Sequence, residues 1–126
     1  MELIVAVAVI GLVGTLVLVG TRPSDTALLR NAAGRLAIFF EETRLEAALR
    51  GYSIALRYSD DTRTFYAGPR RFTLPAGVEA ETGEPPLAIS LRPSGESGGA
   101  LVRLSRGGAR MAVRLDWLSG AVQVIE

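Results

Sequence analysis

From Leu3 to Gly20 the chain runs for eighteen residues without a charge, LIVAVAVIGLVGTLVLVG, and no other feature narrows the available folds so far. As a helix rising 1.5 Å per residue this segment would reach about 27 Å, just enough to cross the hydrocarbon core of a bilayer. Gly11, Gly14 and Gly20 would weaken such a helix in water, but lipid offers the backbone no competing partner and tolerates them. A single carboxylate, Glu2, stands at the mouth of the segment. A secretory signal peptide would show a basic n-region, a shorter apolar core and a small-x-small cleavage site, whereas no Lys or Arg precedes Arg22 here. A plain membrane anchor is the other competing reading, and it leaves Glu2 unexplained. At a membrane end, however, a carboxylate can lean into the headgroups at little cost.

The chain has 126 residues, of which 48% are hydrophobic, and the first segment holds much of that apolar content. About a hundred residues remain for a soluble part, enough for one modest core. Arginine supplies all fourteen basic residues against thirteen acidic ones, so the net charge of +1 generates no strong field for nucleic acid or an anionic membrane. With neither histidine nor cysteine, the chain has no Ser-His-Asp or Cys-His site, no disulfide framework and none of the usual zinc ligands. Two carboxylate pairs remain, Glu41-Glu42 and Asp60-Asp61. Adjacent helix residues point apart, and aspartates are favoured in turns anyway. Calcium at Asp60-Asp61 lacks further oxygen ligands at a recognisable spacing. Ser105-Arg106-Gly107-Gly108 lacks the Lys-Ser/Thr ending of a phosphate loop. No catalytic residue, metal or cofactor is expected.

Thr21-Arg22-Pro23-Ser24-Asp25 interrupts the apolar run, and either Ser24 or Asp25 can cap a helix that follows. Leu29, Ala32, Ala33, Leu36, Phe40, Thr43 and Ala47 then recur at three- and four-residue spacing, and the charged residues fall largely elsewhere, which predicts an amphipathic helix stopped by Gly51. A spine of about 45 to 50 residues would be roughly 70 Å long.

Beyond Gly51 the period changes to two. Tyr52 to Tyr58 and Arg63 to Ala67 flank the turn sequence Ser59-Asp60-Asp61-Thr62, which predicts a hairpin. Further strands are expected at Arg71 to Leu74, Val78 to Glu81, Leu87 to Arg92, Ala100 to Ser105, Ala109 to Leu115 and Ala121 to Ile125. Ala76 to Pro86, with Glu79, Glu81 and Glu84, reads as a solvated acidic edge. Pro93 to Gly99 reads as too flexible to hold structure by itself, either a long hairpin loop or a tip that touches a neighbour. Arg103, Arg110 and Arg114 fall on the face opposite Val102, Leu104, Met111, Val113 and Leu115, a basic surface expected to be solvated or to meet acidic side chains. Trp117 is expected to close one end of the β core.

The stretch Glu2-Leu3-Ile4-Val5-Ala6-Val7-Ala8-Val9-Ile10-Gly11-Leu12 resembles the N-terminal segment of type IV pilins and type II secretion pseudopilins, where a glutamate precedes a long apolar helix. In those families a prepilin peptidase cuts after a glycine upstream of that glutamate and methylates the new terminus. The basic leader, glycine and phenylalanine do not appear ahead of Glu2, so no cleavage site is carried over, and the expectation is that the natural chain extends upstream of Met1. The resemblance implies that Glu2 is a membrane-embedded carboxylate paired with the terminal amine of a neighbouring subunit, setting register between them. An apolar spine followed by an all-β head also resembles the H-type minor pseudopilin of type II secretion and the FimT-like minor pilins. This second likeness rests on element order, on Ala32-Ala33-Gly34-Arg35-Leu36 and Arg44-Leu45-Glu46-Ala47, and on the closing strand after Leu118-Ser119-Gly120. FimT-like pilins carry a C-terminal Gly-Arg-x-Arg motif for DNA; here the corresponding stretch, Gly120-Ala121-Val122-Gln123, lacks both arginines.

The expectation is therefore an α+β, pilin-like chain: residues 1–20 a transmembrane and filament-core helix, 21–50 its amphipathic continuation, and 51–126 an antiparallel β-sheet or β-sandwich head. The resemblance implies a non-enzymatic minor pseudopilin, single-pass in the inner membrane with its head in the periplasm. Its partners would be other pseudopilins and the prepilin peptidase, with nucleic acid not expected. A type IV minor pilin for assembly, adhesion or DNA uptake is the alternative. From another class comes an exported enzyme or binding domain behind a signal peptide.

Overall fold

The computed structural model describes residues 24–126, so the expectations for Glu2 and for the apolar segment fall outside it. One helix, α1 (Asp25–Arg50), leads into eight strands: β1 (Ile54–Ser59), β2 (Thr64–Ala67), β3 (Arg70–Thr73), β4 (Glu79–Glu81), β5 (Ala88–Leu91), β6 (Ala100–Arg106), β7 (Ala109–Leu115) and β8 (Val122–Ile125). The architecture is α+β with wholly antiparallel pairing, as expected.

Local chemistry sets both ends of α1. The Ser24 hydroxyl accepts the Ala27 N–H at 3.1 Å, satisfying one of the donors a helix start leaves open. At the other end Gly51 adopts φ 73° and its N–H donates to the Ala47 carbonyl at 2.9 Å, a left-handed cap that a side chain would strain. Between them all seven residues of the expected apolar stripe are buried, joined by Phe39. The hydroxyl of buried Thr43 donates to the Phe39 carbonyl at 2.8 Å, which removes the desolvation cost of placing it in the core.

The strands form two four-stranded sheets, ordered β3-β2-β1-β5 and β4-β6-β7-β8. Along β1, Ile54, Leu56 and Tyr58 point inward; along β6 and β7, Val102, Leu104, Met111, Val113 and Leu115 do so. These rows and the inner face of α1 share one hydrophobic core. α1 lies against β6, β7 and β8 and reaches β5, and its aromatic residues meet the other sheet. Phe40 meets Phe65 of β2 edge to face at 5.8 Å between centroids, and Phe39 meets Phe72 of β3 at 6.0 Å. Arg70 of β3 staples that contact: its guanidinium bonds Glu42 at 2.8 Å and lies 5.0 Å from the centroid of the Phe39 ring.

Two expectations need correcting. Pro93 to Gly99 is not a hairpin loop, because β5 and β6 belong to different sheets and the segment carries the chain from one to the other. Nor does it lack structure of its own: the Arg92 N–H donates to Glu96 O, the Gly95 N–H to Arg92 O and the Ser97 N–H to Trp117 O, at 2.8–2.9 Å. Trp117 does not close the core either. It is 62% exposed, since Leu115 is the last inward-facing residue of β7 and the turn after it carries residue 117 out into solvent.

Candidate functional site

Three surfaces of the described residues carry features that the core does not require. The first is the outer side of α1, where Ile38, Leu45 and Leu49 are 58%, 52% and 86% exposed. At about 100° per residue these three fall within about 40° of one another and lie opposite the buried row of Leu36, Phe40, Thr43 and Ala47. Tyr52, 51% exposed, stands just past the helix end. Glu42 interrupts the stripe, but its carboxylate is engaged by Arg70. The helix is thus apolar on two opposite sides, a pattern expected where both sides are covered in the working state. The sequence reading missed this stripe; the signal was there in three large aliphatic residues at seven- and four-residue intervals.

The second surface is the outer face of the sheet β4-β6-β7-β8, where the cross-strand register brings Arg103, Arg110 and Arg114 onto one side. Each is exposed. Glu81 of β4 stands opposite Arg103, and Glu79 lies in the row that passes through Ser105 to Arg110, so acidic residues of the edge strand border the arginines. The Arg114 guanidinium donates to the Gln123 side-chain oxygen at 2.6 Å. Phosphate recognition needs unopposed positive charge, and this face alternates sign.

The third surface is the turn after β7. The Asp116 carboxylate accepts the Ser119 N–H and hydroxyl, both at 2.9 Å, and the Leu118 N–H at 3.2 Å. This network holds Trp117 and Leu118 outward, both more than half exposed. The same bonds, led by the Ser119 N–H, lower the Asp116 pKa below the ordinary aspartate value, with help from the Arg114 charge. A carboxylate with a lowered folded-state pKa stabilises above its unfolded value and loses that contribution as pH falls through the folded one. The Leu118 and Ser119 amide resonances should therefore titrate with a midpoint below the ordinary aspartate value, and in Asp116→Asn they should not titrate there. A midpoint at or above that value would contradict the turn network.

Elsewhere, burial raises the Tyr58 phenol above its usual value, reinforced by Asp60. The two carboxylate pairs do not converge. Glu41 bonds Arg44 and Glu42 bonds Arg70, each at 2.8 Å, and Asp60 and Asp61 sit exposed in the β1–β2 turn. Among the described residues there is no group of three His, Cys, Asp or Glu side chains able to hold a metal ion, and no helix long and apolar enough to cross a membrane.

No family model matches the sequence, and no curated protein matches it. Solved structures do resemble it. Two crystal forms of the type IV minor pilin FimU from Pseudomonas aeruginosa superpose with TM-scores of 0.65 and 0.66 at 15% and 14% identity, over 78% of this chain and 87% and 93% of theirs. The minor pseudopilin EpsH from the type 2 secretion system of Vibrio cholerae superposes with a TM-score of 0.63 at 18% identity, over 77% of this chain and 95% of that one. One helix feeding two antiparallel sheets around a shared core is therefore the pilin-like fold that this chain has in common with minor pilin and minor pseudopilin structures.

Proposed function

We propose that this chain is a non-enzymatic minor subunit of a pilin-like filament, held by its apolar N-terminal segment in the inner membrane with its β head in the periplasm. The observation that carries the reading is the second apolar stripe of α1, Ile38, Leu45 and Leu49, opposite the face that builds the core. An isolated domain gains nothing from exposing it, whereas a helix packed among others in a filament buries both sides. The likeness of Glu2 to Leu12 fits both pilins and pseudopilins; within that reading the likeness to EpsH supports a subunit of the type II secretion pseudopilus. Glu2 would set register, other pseudopilins would be the partners, and a prepilin peptidase would process the precursor. The likeness to FimU supports a type IV minor pilin as the second reading. DNA uptake is disfavoured by the missing arginines in Gly120 to Gln123 and by the mixed charge around Arg103, Arg110 and Arg114.

The test is a double substitution, Ile38→Lys with Leu45→Lys. Both side chains are exposed, and lysine suits a helix and lies near Glu41 and Glu42, so the melting temperature should change by no more than a few degrees. The share of the chain recovered with sheared filaments should fall at least roughly tenfold, since two buried aliphatic contacts exceed that margin. Unchanged recovery at unchanged stability would end the proposal. Complementation of secretion-deficient and pilus-deficient hosts would separate the two systems.

A further inference from the structure

We infer that the free edge of β5 is a docking site for an extended polypeptide segment of a partner protein, which would add to the sheet as a further strand with Trp117 closing over it. β5 is the last strand of its sheet. The Tyr58 N–H donates to Leu87 O at 2.9 Å, and the register pairs Leu56 with Ile89 and Ile54 with Leu91. In an antiparallel ladder this makes Leu87, Ile89 and Leu91 the residues whose backbone groups face β1. The N–H and C=O of Ala88 and Ser90 therefore point to the open side, two residues apart, which is the spacing another strand presents. Arg92, next in that series, is occupied by its own turn through Glu96 O and the Gly95 N–H.

The open side is not bare solvent. A cavity of about 460 Å³ lies along it, walled by Ala88, Ile89 and Ser90 on one side and by Ser97, Gly98 and Trp117 on the other. The far wall is fixed, because Ser97 donates to the Trp117 carbonyl and the Asp116 network holds the turn. Trp117 thus stands on a fixed backbone with its exposed indole beside unpaired backbone donors and acceptors, the combination that lets main-chain bonds supply affinity and an aromatic anchor supply grip. Of the other three edges, β8 (Val-Gln-Val-Ile) is also uncharged but packs against α1, and two carry charges. β3 carries Arg70 and Arg71, and β4 is three residues long with a glutamate at each end. β5, Ala-Ile-Ser-Leu, has no charge within the strand; the charges beside it, Arg92 and Glu96, line the same cavity and are paired with each other at 3.5 Å. Only an extended backbone satisfies alternate N–H and C=O groups along an edge, so the chemistry names the ligand class. The inference does not depend on how the outer face of α1 is used.

The probe is a nine-residue peptide alternating valine and threonine, capped at both ends and flanked by lysines, titrated into the full chain in detergent micelles. Trp117 is the only tryptophan, so its emission reports directly on the cleft. Binding should shift that emission to the blue in a saturable manner and slow exchange of the Ala88 and Ser90 amides at least roughly tenfold. N-methylation of alternate peptide residues, in the two possible phases, should weaken binding roughly tenfold or more in one phase only, since it removes the donors that face β5. Trp117→Ala, at an exposed position, should leave the fold intact and weaken the amide protection. No saturable shift up to millimolar peptide, equal binding of both N-methylated peptides, or protection appearing instead at Val122 and Val124 of β8, an edge of the second sheet, would each overturn the inference.

Discussion

Phe40→Ala is expected to lower the melting temperature by roughly 15–30 °C, a shift that follows from a loss of about 3–5 kcal/mol in a domain of this size. Phe40 is fully buried and joins three layers of contact: α1 behind it, Phe65 edge to face, and through Phe65 the Tyr58 ring at 4.5 Å. Removing the ring leaves a cavity where helix and sheet β3-β2-β1-β5 meet, and neither rigid element can collapse into it. Since small domains hold only about 5–15 kcal/mol in reserve, a substantial unfolded fraction should appear well below the wild-type transition. Thermal denaturation followed by circular dichroism measures this. A shift under 5 °C would mean that α1 is held to that sheet mainly by Arg70 and its partners Glu42 and Glu46 rather than by the aromatic cluster.

The second large effect is expected at Gly95→Ala. Gly95 adopts φ 93°, and a Cβ there would sit 2.3 Å from the Ser119 carbonyl oxygen and 2.9 Å from its carbon. Both atoms are backbone, so no side chain can swing aside. The positive φ alone costs about 1–2 kcal/mol for alanine, and the overlap adds to it until the 93–99 segment lifts off the turn that follows β7. The expected result is a loss of about 2–4 kcal/mol, with faster amide exchange at Ser97, whose N–H bonds Trp117 O, and a changed Trp117 emission. If Ser97 exchange is unaltered, the close approach of Gly95 to the turn is not what holds the segment.

Much of this fold could be read in advance because its elements announce themselves locally. Leu29 to Ala47 recur at helical spacing, Ser24 and Gly51 carry the capping chemistry for its ends, and β7 matches its expected bounds, Ala109 to Leu115. The opposed rows of Val102, Leu104, Met111, Val113, Leu115 and of Arg103, Arg110, Arg114 follow from a two-residue period that needs no knowledge of the rest of the chain. Phe39 escaped because it flanks the stripe, and its burial comes from Phe72 and Arg70, residues more than thirty positions away.

Of the candidate surfaces, the arginine face was legible and the other two were not. Ile38, Leu45 and Leu49 look like ordinary helix residues until α1 is laid on the sheets and one side is seen to face away. Trp117 looks like a core residue because a large aromatic side chain is usually buried, and only the direction in which the chain leaves β7 shows otherwise.

By itself, then, the sequence determined where the helix and strands lie, that the head is β, and that histidine and cysteine chemistry is absent, since these depend on residue type and near-neighbour spacing. Tertiary structure alone decided that β5 pairs with β1 and not with β6, that β4 pairs with β6, that Pro93 to Gly99 bridges two sheets, and that Trp117 and one side of α1 face outward. Those are outcomes of contacts between distant segments, in which the burial of one residue is set by which other strand arrives beside it, and no local period encodes that choice.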